Sequence, residues 1–144
     1  MATTTATVNI ASGDLIPGMP ININASSTIM QTGTTTGLEL MDMGYGKLTE
    51  ASGADALHEA LGTANSSNYV YICNMATDDQ QYMTIGIHET VVGYLGAGEW
   101  MFIPWNMGDA DAEINIEAEA SGTIPYNWAI FKSEPYTLPV STPA

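Results

Sequence analysis

The chain contains no arginine, and its only permanent side-chain cations are Lys47 and Lys132. A protein so short of positive charge cannot neutralise a row of phosphates, which argues against direct nucleic-acid binding. Its sixteen acidic residues bring the formal net charge to −14, and that disfavours anionic membrane surfaces as well. Cys73 is the one cysteine, so no disulfide can form within the chain, and stability has to come from packing or from association. It closes the apolar run Tyr69-Val70-Tyr71-Ile72 with no cation nearby in sequence, and it reads as an inert, buried thiol. No apolar run reaches the length of a membrane span. The start, Met1-Ala2-Thr3-Thr4-Thr5-Ala6-Thr7, lacks the basic residues and apolar stretch of a signal peptide. The expectation is therefore synthesis in the cytoplasm, with any extracellular role reached as part of an assembly or after lysis.

Charged residues make up 12% of the 144 positions and hydrophobic ones 45%. Polarity rests on Thr, Ser, Asn and Gly, residues that suit pleated surfaces and tight turns. Apolar residues recur at every second position in several stretches. Val8 and Ile10 alternate with Thr7 and Asn9, and Ile21, Ile23 and Ala25 alternate with Asn22 and Asn24. Further strands are expected at 38–43, 68–73, 82–87, 91–95, 100–105 and 124–132. The clearest alternation sets Ile114, Ile116, Ala118 and Ala120 against Glu113, Asn115, Glu117 and Glu119, one face for a core and one for water. Residues 54–61 admit a short helix, because Ser52-Gly53-Ala54-Asp55 can start one, Leu57 and Leu61 stand four apart and Gly62 can end it; a strand is the alternative. Strand signals separated by turns favour a β-sandwich or barrel, and the expectation is an all-β, antiparallel β-sandwich. One domain is expected over 5–134, with an N-terminal arm at 1–4 and a Pro-rich tail at 135–144.

Candidate chemistry is sparse. His58 and His88 are the only near-neutral bases, and neither has a metal-type spacing or a local nucleophile. Asp109, Asp111 and Glu113 alternate in a loop that could offer oxygens to Ca²⁺. Counted from Asp109, however, the sixth and twelfth positions are Ile114 and Ala120, where a calcium loop of the helix-loop-helix type requires Gly and Glu. Tyr94, Trp100, Trp105 and Trp128 are candidates for a sugar-stacking platform or a subunit interface, with the core as their other use. No phosphate loop, nucleophile elbow or cysteine cluster is present. The expectation is a non-catalytic protein with no cofactor.

The order Tyr69-Val70-Tyr71-Ile72-Cys73-Asn74, Met83-Thr84-Ile85-Gly86-Ile87, Leu95-Gly96-Ala97-Gly98-Glu99-Trp100, Ile114-Asn115-Ile116-Glu117-Ala118 and Tyr126 to Glu134 resembles small β-sandwich structural proteins of tailed-phage virions. The resemblance covers roughly residues 68–134. It implies a jelly-roll-like sandwich acting as a capsid decoration (cement) protein. Such a protein binds the outer surface of the phage head, has the major capsid protein or other virion subunits as partners, and forms a homo-oligomer, with a trimer as the form analogy suggests. The competing expectation is a carbohydrate- or receptor-binding module, as in a head fibre or tail accessory protein.

Overall fold

A computed structural model of the chain describes residues 3–13, 17–31, 37–49, 55–58, 67–88, 90–106, 113–119 and 122–132, with the backbone alone at 41, 55–58, 67 and 106. Among these residues there are ten strands and no helix: β1 (Thr4–Ser12), β2 (Ile21–Ile29), β3 (Glu39–Thr49), β4 (Asp55–His58), β5 (Ser67–Asn74), β6 (Met83–Ile87), β7 (Thr90–Leu95), β8 (Trp100–Asn106), β9 (Ile114–Ala118) and β10 (Thr123–Lys132). The short helix expected near 54–61 is corrected to a strand at Asp55–His58. Asp55 and Ala56 pair with Ile116 and Asn115 of β9, and a sheet partner outweighs the weak preference of a segment too short to hold a helix alone. Residues 54 and 59–61 lie outside the described set.

The chain falls into two compact units, Met1–Leu38 with Pro135–Ala144, and Glu39–Glu134. The second is the sandwich. Its sheets have the orders β3-β10-β5-β8 and β4-β9-β6-β7, and every pairing is antiparallel. The pairing is nested: β3 with β10, β4 with β9, β5 with β8 and β6 with β7. A chain paired in this way is one long hairpin wrapped over itself, and the further pairs β10–β5 and β6–β9 join its turns into two sheets.

Alternation decides which side chains enter the core. Val70 and Ile72 of β5, Ile124 and Ile130 of β10 and Leu48 of β3 come from one sheet; Met83 and Ile85 of β6 and Ile114 and Ile116 of β9 come from the other. All are at most 1% exposed and belong to one cluster. Burying each contributes about 1.5–3 kcal/mol. Two glycines on β3 make room for the rings opposite them. Gly44 pairs with Trp128 and Gly46 with Tyr126, and a Cβ at Gly44 would stand 2.8 Å from the Trp128 indole. Pro104 lies on β8, at a sheet edge, where a missing backbone donor is tolerated.

Asn74 ends β5 and ties three segments together. Its side chain is fully buried. Its Nδ2 donates to the carbonyls of Gln81 (3.1 Å) and Leu95 (2.9 Å), and its Oδ1 accepts from the Ala76 amide (2.9 Å). Its backbone bonds to Glu99 and Gly98 fasten the β7–β8 turn to the same point.

The first unit contains β1 and β2, nine residues each, paired from Thr4↔Ile29 to Ser12↔Ile21. Thr4 Oγ1 accepts the Leu38 amide at 2.8 Å, and Met30 bridges Gly37.

Candidate functional site

The two outer faces of the sandwich differ in chemistry. On the β3-β10-β5-β8 sheet, the residues that alternate with the core positions form three cross-strand rows: Tyr45, Asn127, Cys73, Trp100; then Met43, Ala129, Tyr71, Phe102; then Leu40, Phe131, Tyr69, Pro104. None of these is charged, in a chain with sixteen acids; the next row of the same face, Lys47 with Pro125, adds one lysine and no acid. The register shift between Ile130 and Phe131 brings Leu40 onto this face, because one extra residue on a strand reverses the side its successors occupy.

The face is apolar and open. Leu40, Met43, Tyr45 and Trp100 are 50–65% exposed. Their neighbours are half-buried against one another: Tyr69 stacks on Phe102 at 5.2 Å, Phe131 meets Phe102 edge-on at 6.2 Å, and Trp100 lies tilted over Tyr71 at 6.3 Å. Strand spacing and rise give these rows roughly 400 Å², the size at which an apolar patch marks an interaction surface. Burial raises the Tyr71 phenol above its ordinary 10.0, and the hydrogen bond and charge of Cys73 act in the same direction. Asn127 Oδ1, in the middle of the first row, is buried and has no hydrogen-bond partner among the described residues.

The outer face of the other sheet is polar. An open groove of about 480 Å³ is lined by Thr84 and Gly86 of β6, His88, Val91 of β7, and Glu113, Asn115 and Glu117 along β9. Tyr94, opposite Thr84, is 64% exposed, and its ring meets Tyr82 edge-on at 6.0 Å. His88 follows β6 in a left-handed backbone conformation, φ 45°, with its amide on the Glu113 carbonyl at 3.0 Å.

These faces separate the aromatic residues singled out from sequence. Trp100 and Tyr94 are both exposed but on different sheets, Trp105 is 5% exposed in the core, and Trp128 packs against that core from the same sheet. They form no common platform. Cys73 is half-buried on the aromatic face, not in the core. His58 pairs with Ile114, at the end of the sheet that His88 also occupies, and its side chain lies outside the described residues. Of the candidate calcium residues, Glu113 lines the groove, whereas Asp109 and Asp111 lie outside the described residues. Among the described residues, no group of three or more His, Cys, Asp or Glu side chains is placed to hold a metal ion.

The aromatic face escaped the sequence reading because it is assembled from four strands far apart in the chain. The available signal was local: Tyr69, Tyr71 and Cys73 alternate with Val70 and Ile72, so β5 is apolar on both sides. Comparison with protein-family models and with curated proteins finds no match to the chain.

Proposed function

We propose that the protein is a non-catalytic structural subunit of a phage virion, a decoration or cement protein that docks on the outer surface of the head. The observation that carries this reading is the set of three uncharged, largely aromatic rows on the outer face of the β3-β10-β5-β8 sheet. Burying it against another protein requires no desolvation of a charge, and stacked rings supply rigid apolar contact at low conformational cost. The acidic residues of the opposite face, Glu113, Glu117 and Glu119, would then keep the decorated particle soluble. The nested antiparallel pairing also supports the reading, since a jelly-roll-like sandwich is an architecture used by viral capsid and lectin domains. Architecture alone does not choose between those uses.

The test is co-sedimentation with heads assembled without this chain. Wild type is expected to bind, and Trp100→Glu with Met43→Glu to lose binding while Tyr94→Ala retains it. Equal binding by all three would refute docking through the aromatic face. A second reading, glycan binding, is favoured by one observation: Tyr94 and Tyr82 stand beside the hydrogen-bonding groups of Thr84, Asn115 and Glu117. A glycan array on which wild type binds and Tyr94→Ala does not would support it.

A further inference from the structure

The groove on the β4-β9-β6-β7 sheet is built from three cross-strand rows. Tyr94, Thr84 and Glu117 form the first, Val91, Gly86 and Asn115 the second, and His88 beside Glu113 the third. Tyr94 and Val91 stand three positions apart and would fall on opposite sides of a regular strand. The register shift between Ile85 and Gly86 leaves Val92 as the extra residue and turns both side chains to the groove. Gly86 keeps the floor of the middle row bare, and a Cβ there would stand 3.2 Å from the Thr90 carbonyl oxygen. The two walls differ. Strand β7 supplies Tyr94 and Val91, both more than half exposed, and β9 supplies Glu113, Asn115 and Glu117, all half-buried. Between them Thr84 is 4% exposed yet lines the groove, and its hydroxyl has no hydrogen-bond partner among the described residues. A buried hydroxyl ordinarily has one, and the groove is the side left to supply it.

We infer that the groove binds a glycan bearing a free amine, with the C–H face of one sugar ring on Tyr94, a ring hydroxyl on Thr84 Oγ1 and the ammonium on Glu117. This rests on the glycan reading of the same face and narrows it to one class of sugar. An apolar wall and a polar wall on either side of a bare floor suit a sugar ring, which has C–H groups for one and hydroxyls for the other. The carboxylates select the charge. No lysine lines the groove, and His88 is the only lining residue able to carry positive charge. A uronic, sialylated or phosphorylated sugar therefore meets like charge, whereas an ammonium gains a charge-assisted hydrogen bond from Glu117. A bare metal ion does not fit, because Glu113 and Glu117 stand four residues apart on one strand, roughly 13 Å, too far to share it. An extended peptide does not fit either. Strand β6 is paired on both sides, so the floor lacks the free backbone groups that strand recognition uses. The volume of about 480 Å³ lies within the roughly 300–1,000 Å³ of small-molecule sites and leaves space over Gly86 for the next ring, towards Glu113.

The test is an NMR titration of the full chain at about pH 6, below the ordinary range of amines. The probes are β-linked trimers of glucosamine, N-acetylglucosamine and glucuronic acid, each up to about 10 mM. The glucosamine trimer is expected to shift the amides of Thr84, Gly86 and Tyr94 and to bind at least about 10-fold more tightly than the acetylated trimer. The acidic trimer is expected not to bind. Glu117→Gln keeps the shape and removes the charge, and should bring the first two trimers within about 3-fold of each other. Thr84→Val should weaken both by a similar factor, about 3–10-fold. Unchanged amide shifts away from the groove report an intact sandwich in each variant. Equal binding of the first two trimers by wild type, tighter binding of the acetylated one, or a preference that survives Glu117→Gln would overturn the amine assignment and leave glycan binding standing. No shift with any of the three would overturn it too, and a glycan array blank for wild type then shows that the reading beneath it has failed as well.

Discussion

At the residue scale, a few side chains do more than fill space. Asn74 makes three side-chain hydrogen bonds from a fully buried position. Asn74→Ala leaves two carbonyls and an amide to find new partners and should cost about 2–4 kcal/mol in urea unfolding. Asn74→Asp should cost at least as much, since a carboxylate cannot donate to the Gln81 and Leu95 carbonyls. At Gly44, an added methyl would collide with the Trp128 indole; Gly44→Ala should cost about 1–3 kcal/mol, relieved in part when Trp128 is also shortened. Tyr71 gives a pH signature. Its phenol is raised in the folded state, so above pH 10 the folded chain retains a proton that the unfolded chain gives up. Its contribution is complete below the unfolded value and is lost as pH rises toward the folded one. Urea midpoints measured from about pH 9 to about pH 11 should fall less steeply for Tyr71→Phe than for wild type.

At the scale of elements, β9 shows most directly how pattern becomes structure. Ile114, Ile116 and Ala118 are buried, and Glu113 and Glu117 line the groove on the other side. Ile116→Ala should therefore cost about 2–5 kcal/mol, and Glu117→Ala within about 0.5 kcal/mol, both read from denaturant midpoints. This strand was legible because one side is wet. Strand β5 was legible as a strand but not as a site, because apolar residues on both sides give no alternation to read. Strand β4 was ambiguous because the spacing of Leu57 and Leu61 fits a helix, and only its pairing with β9, some sixty residues later, resolves the choice. The same reason hid the groove and the aromatic face: register between distant strands joins their residues, and register is not written in any local window. Among the aromatic residues chosen from sequence, alternation sends Trp105 into the core and Trp100 outward, five positions apart on one strand.

For the whole molecule, the sandwich has an acid-free aromatic outer face on one sheet and an acid-lined groove on the other. A subunit that docks on one side and faces water on the other needs two such unlike surfaces. If docking used the carboxylates, binding would weaken steeply with salt; docking through Trp100, Tyr45 and Met43 should be nearly unaffected by it. The most direct measurement is hydroxyl-radical footprinting of the protein free and bound to assembled heads. Trp100, Tyr45 and Met43 should become protected on binding, while Tyr82 and Tyr94 stay as reactive as in the free protein. Protection of Tyr82 and Tyr94 with Trp100 unchanged would contradict the account.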